Sequence, residues 1–115
     1  MQYALLIYNP TDGTEQGQRT IDPDIAAVLA RPDVTGWIRL HAAGSATTVQ
    51  HQVGRTLLTD GPFVDSKEFL GGLVVVEAAN LDGALAVAAE LQQLRPGRVV
   101  AVEVRPVRDA ELSGA

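Results

Sequence analysis

A chain of 115 residues with 46% apolar side chains is long enough to close one core and too short for two. It has no cysteine, which excludes disulfides, thiolate metal sites and a cysteine nucleophile, and its net charge of −5 argues against nucleic acid as a ligand. No apolar run approaches the roughly 20 residues of a membrane helix, and the opening residues lack the basic start and small-residue cleavage site of a secretory leader, so a cytoplasmic protein without a membrane partner is expected.

Tyr3 to Tyr8 is almost wholly apolar and runs into the turn formers Asn9-Pro10 and Thr11-Asp12-Gly13, which predicts a buried strand. Residues 11 to 20 hold no apolar side chain and read as a surface loop. Asp22-Pro23 is a helix start, with the Asp22 carboxylate as cap and proline at the first helical position. Ile25, Val28 and Leu29 follow at helical spacing, and Pro32 ends this two-turn helix. Asp33 can start one more turn before Gly36. Trp37 to His41 then alternates Trp37, Arg39 and His41 against Ile38 and Leu40, which predicts a short strand, with Ala42 to Ser45 as a loop.

From Thr47 to Val53 the alternation is regular, and Gly54-Arg55 suits a two-residue hairpin turn returning over Thr56 to Asp60. That turn would pair Val53 with Thr56, set His51 opposite Leu58 and Val49 opposite Asp60. Gly61-Pro62 ends the strand, and Asp65 to Glu68 has capping-box spacing for a short turn through Lys67, Glu68 and Phe69, stopped by Gly71-Gly72. Leu73 to Val76 is a valine-rich run suited to a central strand. Asn80 can cap a second helix with Leu81, Ala84, Leu85, Ala88 and Leu91 on one stripe, closed by Arg95-Pro96-Gly97. Arg98 to Arg105 is the last strand, with Val100, Val102 and Val104 on one face and Val99, Ala101, Glu103 and Arg105 on the other. The segment from Asp109 onward has no periodicity.

Strand, helix, hairpin, strand, helix, strand is the order of an α+β protein with an antiparallel sheet and helices on one face, as in ferredoxin-like folds. Two helices cover one side of such a sheet. The other side must meet water, a ligand or a second copy of the chain, and a homodimer is the preferred reading.

Residues 60 to 72, DGPFVDSKEFLGG, resemble the signature of the DGPF branch of the YCII-related domain family. Tyr3 to Tyr8, Thr47-Thr48-Val49, Asn80-Leu81-Asp82 and Glu103 to Val107 are similar to that family in the same order, so the resemblance spans nearly the whole chain. It implies a ferredoxin-like fold of the dimeric α+β barrel type, a cleft at the DGPF loop and a functional link to an extracytoplasmic-function sigma factor. It implies no particular reaction. Three departures are visible: residues 22 to 40 are compressed and broken by proline, Gly83 replaces an acidic residue, and no His lies between residues 22 and 36, where related proteins carry one on their first helix.

Asp60, a carboxylate before a Gly-Pro bend, reads either as a general base or ligand acceptor at a cleft mouth, or as an oxygen that shapes its own turn. His51 would lie diagonally from Asp60 on the hairpin, a geometry for proton transfer near neutral pH, against the alternative of a structural imidazole between two valines. His41 can replace the missing helical His if its segment crosses the cleft. Two His and Asp60 lack the spacing of a metal site, and no cofactor motif is present. Lys67 can clamp an anionic ligand, Glu68 can pair with it or with Arg105, and Asp65 reads as a cap. Phe63 reads as a core plug and Trp37 as an interface residue. Two functions remain open: a dimer with a small-molecule cleft and acid or base chemistry at Asp60, or a non-enzymatic interaction or regulatory module.

Overall fold

A computed structural model describes residues 1–10, 21–64 and 66–111 of the chain. The expected loop at 11 to 20, the cap at Asp65 and the last four residues of the chain lie outside the described residues. In chain order the elements are β1 (Gln2–Pro10), α1 (Pro23–Leu29), β2 (Val34–Arg39), a 3-10 turn at Ala43–Ser45, β3 (Thr47–Gln52), β4 (Arg55–Asp60), β5 (Glu68–Glu77), α2 (Leu81–Leu94) and β6 (Ala101–Pro106). The strands β2-β5-β1-β6 form one antiparallel sheet, and β3-β4 forms a separate hairpin. The four-stranded sheet and its two helices are a ferredoxin-like α+β fold with the hairpin inserted between the second and third sheet strands.

Register assigns the two faces, because paired residues share one. Val104, Leu5, Val74 and Trp37 form one row across the sheet, and Pro106, Tyr3, Val76 and Val34 form another. Leu5, Tyr3, Val74 and Val76 are buried in these rows, under Val28 of α1 and Ala84, Val87, Ala88 and Leu91 of α2. The valine run of β5, an interior strand between β1 and β2, is covered on one face rather than the expected two: Val74 and Val76 are buried under the helices, whereas Leu73 and Val75 on the other face are only half-buried. On the open face the matching row is Glu103, Leu6, Leu73 and Ile38.

Several expectations are corrected. Asp22 precedes α1 without capping it through its side chain; the carboxylate instead accepts from Arg95 Nε at 2.6 Å. A charged, planar donor outcompetes a helix-end amide for that oxygen. Asp33 starts no turn, since its carbonyl accepts the Glu77 amide at 2.7 Å and the next residue enters β2. β2 ends at Arg39 rather than His41, just past which the Leu40 amide donates to the Gly71 carbonyl. Residues 68 to 72 form no turn, because β5 begins at Glu68 and pairs with β1 as far as Pro10. On α2 the buried stripe includes Val87 and leaves Leu81 and Leu85 exposed, so the helix is rotated from the expected seam. Val99 is buried and Val100 exposed, the reverse of the expected alternation, because β6 starts only at Ala101.

The hairpin turn is Val53-Gly54, one residue earlier than expected. Its φ values of 46° and 77° are those of a two-residue turn with both central residues left-handed. Gly54 adopts this freely, whereas a β-branched residue is strained there. Val53→Asn should relieve about 1 kcal/mol of that strain. Amide hydrogen exchange of the β3-β4 ladder should slow by several-fold while exchange in the four-stranded sheet stays unchanged; unchanged protection of the hairpin would remove the strain argument.

Two ion pairs tie the helices together with opposite polarity. Arg31, just after α1, donates to Glu90 of α2 at 2.8 and 2.5 Å. Arg95, at the end of α2, donates to Asp22 and, at 2.8 and 3.1 Å, to Asp24. Hydrogen bonds from Arg95 and Arg31 hold the Asp24 and Glu90 carboxyls below the usual carboxylate range. A carboxylate whose pKa is lowered by folding stabilises the fold above its unfolded pKa and loses that effect as pH falls through its folded value. The melting temperature should therefore drop as pH falls below about 4, and Arg95→Gln should flatten that drop. Thermal denaturation over that range, in low salt, checks the sign.

Candidate functional site

A cleft of about 840 Å³ lies between the helices and the sheet, at the end of the sheet where β2 and α1 meet the close of α2. Its floor follows from register. The row Val102, Ile7, Gly72 and Arg39 faces the helices, and at Gly72 it carries no side chain. The neighbouring row is filled by Leu5 and Val74, so the layer thins at the glycine. A Cβ at Gly72 would stand 2.9 Å from the Ile38 carbonyl oxygen, which explains why β2 can approach so closely.

Gly71 has a second role. The β1-β5 register shifts between Ile7 and Tyr8, which leaves Gly71 as the extra residue of a bulge. The Asn9 side chain crosses over it and donates Nδ2 to the Arg98 carbonyl at 2.6 Å. A Cβ on Gly71 would overlap the Asn9 side chain. Asn9, Gly71 and Gly72 all line the cleft, so the two glycines set both its floor and one of its corners.

The walls divide by chemistry. Ile25 and Leu29 of α1, Leu91 of α2 and Ile7 of β1 supply apolar surface, and Trp37, 43% exposed, supplies a ring at the β2 edge. Leu91 and Arg95 are one helical turn apart, which brings Arg95 to the same side as the apolar seam. Arg39, Arg98, His41 and Asp22 complete the polar lining. Arg39 and Arg98 are each engaged within the chain as well.

The sequence-predicted residues do not converge. Asp60 is exposed on the hairpin and is not part of the cleft lining. It pairs with Thr47, whereas His51 pairs with Thr56, so the two stand four residues apart along the ladder, roughly 13 Å. They share a face and cannot touch. The Asp60 carboxylate accepts no hydrogen bond among the described residues; the bend after it is held instead by the Gly61 amide on the Ala46 carbonyl and by Thr48 Oγ1 on the Gly61 carbonyl. His41 is the candidate that does reach the cleft.

Lys67 and Glu68 are exposed at the start of β5, outside the cleft. Glu68 lies opposite Pro10 and Arg105 opposite Ala4, at far ends of β1, so the expected Glu68-Arg105 pair is excluded by register. Arg105 stands instead 3.9 Å from Glu103, which accepts from Tyr8 Oη at 3.3 Å. Burial first, and the Glu103 carboxylate second, push the Tyr8 phenol up. Phe63 plugs no core and is 72% exposed, while Trp37 is a cleft wall. Arg39 was detectable in part: it shares the helix-facing parity of β2 with Trp37, and both line the cleft. Arg95 and Arg98 were not, because their place depends on how α2 ends.

Antiparallel ferredoxin-like topology and the Gly-Gly floor define a small α+β domain with a cleft between its helices and its sheet. The YCII-related domain family matches residues 1–108, and the chain belongs to that family. The uncharacterised protein R00369 of Rhizobium meliloti (strain 1021) is 34% identical over 115 residues, covering 93% of this chain and 92% of its own length.

The glycine argument predicts that Gly71→Ala costs about 1–3 kcal/mol through overpacking against Asn9. Asn9→Ala in the same chain should restore part of that loss. Chemical denaturation of the two single variants and the double variant measures the coupling; additive losses would contradict the contact.

Proposed function

We propose that this YCII-related protein binds a small organic molecule in the cleft and acts as a homodimer joined through the open face of its sheet. The observation that supports binding is the cleft itself: its volume is in the range of small-ligand sites, and its mostly apolar walls carry a few polar groups. If chemistry follows binding, His41 is the imidazole that lines the cleft and can exchange a proton with a bound molecule. Asp60 would act only on a molecule held outside it. The cleft therefore favours His41 as the proton-handling residue.

Dimerisation is supported by the face opposite the helices. Leu6 and Leu73, half-buried, and Ile38, 54% exposed, stand in one row there, with Ala4 and Val75 in the next, and among the described residues none of them packs against the helix-covered core. The hairpin adds Val49 and Leu58, which oppose each other and are 65% and 70% exposed. A two-stranded hairpin is marginal alone, so a surface that packs on it stabilises it. A second copy of the chain is the partner that offers the same apolar row in return.

Sedimentation equilibrium should give twice the chain mass of 12.2 kDa. Leu6→Lys should give a folded monomer by circular dichroism, because Leu6 stands in the open-face row and lines neither the helix-covered core nor the cleft. A monomeric wild type would overturn the dimer and leave the bare hairpin to a different protein, as the rival regulatory reading beside a sigma factor requires.

A further inference from the structure

We infer that two copies of the open face meet about a two-fold axis that runs across the strands, with the row of large side chains over the partner's row of small ones and Glu103 over the partner's Arg105. This rests on the open face being a dimer interface and adds how the two copies are set on each other and why the partner is the same chain.

Two adjacent rows of that face differ in size on every strand they share. One is Glu103, Leu6, Leu73 and Ile38, and the next is Arg105, Ala4, Val75 and Gly36. Leu6 is thus next to Ala4 on its face of β1, Leu73 next to Val75 on β5, and Ile38 next to Gly36 on β2. Packed sheets lie about 10 Å apart, and side chains from both faces fill the space between them. Large rows set on each other would overfill it, and small rows would leave a void. A two-fold axis perpendicular to the strands and passing between the two rows interchanges them. Each strand then lies over its own copy, and large falls on small in both halves of the pair.

Gly36 has no reason to be glycine within its own chain. Its backbone is not left-handed, and a Cβ built on it would meet nothing within 4 Å among the described residues. The extra residue of the β2 irregularity is Thr35, which the register skips between Val34 and Gly36. Gly71 and Gly72 are each required by a close neighbour, whereas Gly36 sits in a strand, where glycine weakens the sheet unless something approaches it. The interchange supplies that neighbour: the partner's Ile38, a side chain that is largely exposed in the single chain.

Charge follows the same axis. Glu103 and Arg105 lie on one side of β6, an edge strand, and both are well exposed. Their contact within the chain is long, 3.9 Å, and Glu103 also accepts from Tyr8 Oη at 3.3 Å. A carboxylate and a guanidinium each have capacity beyond these contacts. The interchange sets Glu103 over the partner's Arg105 twice in each dimer. A surface without this alternation of size and charge would gain neither match, which restricts the partner to a second copy.

The test uses two single variants, Glu103→Lys and Arg105→Glu, compared by sedimentation equilibrium in low salt, with circular dichroism to show that each is folded. Each alone sets like charges over one another and should dimerise about tenfold or more weakly than the wild type. Mixed in equal amounts, they set opposite charges together and should associate about as tightly as the wild type, a gain that added salt removes. Gly36→Val should also weaken the dimer about tenfold or more without unfolding the chain, and Ile38→Ala in the same chain should recover most of that loss. Single charge variants as tight as the wild type, a mixture that gains nothing over either alone, or a Gly36→Val dimer of wild-type strength would overturn the interchange and leave a dimer of another geometry. A wild type that stays monomeric would overturn both.

Discussion

The cleft depends on one stretch of backbone with no side chains. Where β5 passes between β1 and β2, Gly71 lets the Asn9 side chain cross the sheet, and Gly72 lets the β2 backbone come close. Any larger residue at either place would collide with a neighbour that cannot move far: at Gly72 with a carbonyl oxygen, at Gly71 with an amide already committed to the Arg98 backbone. The same two positions empty the helix-facing layer at one end of the sheet. Close strand packing and an open cleft are therefore one geometric fact seen from two sides.

The helices close over that opening by charge as much as by packing. α1 is only seven residues long and buries little beyond Val28, so its apolar face alone gives it a weak hold. Arg31-Glu90 and Arg95-Asp22-Asp24 secure both of its ends to α2. Each pair is exposed and modest alone. Their opposite polarity gives the two helices one preferred register, since sliding α1 along α2 would separate both pairs together.

The frame was legible in sequence wherever side-chain periodicity and burial agree. β1, the valine run of β5, α1 with its proline at the start and the Asn80 cap, whose side chain accepts from the Gly83 amide at 3.1 Å, all follow from local pattern. The hairpin was legible as a hairpin but not in its register. A Gly-Arg turn and a Val-Gly turn differ by one residue, and moving the turn by one shifts every cross-strand partner by two. That shift separates His51 from Asp60 and removes the predicted dyad. The DGPF segment suggested a site at its first residue, whereas the cleft uses its last two. Local pattern cannot distinguish a glycine that ends a turn from one that thins a sheet. Arg95 and Arg98 are invisible for a related reason: they enter the site only through the tertiary packing of α2.

The inserted hairpin leaves β2 and β5 as direct neighbours in the sheet, with their ladder running from Val34 and Val76 to Arg39 and Gly72. No hydrogen bond of the four-stranded ladder passes through β3 or β4. The excursion from residue 40 to residue 67 therefore behaves as an appendage on a closed frame, and its length can change without rewiring the frame. The chamber beneath the helices is built without the hairpin strands, from strands and helices whose contacts close on one another.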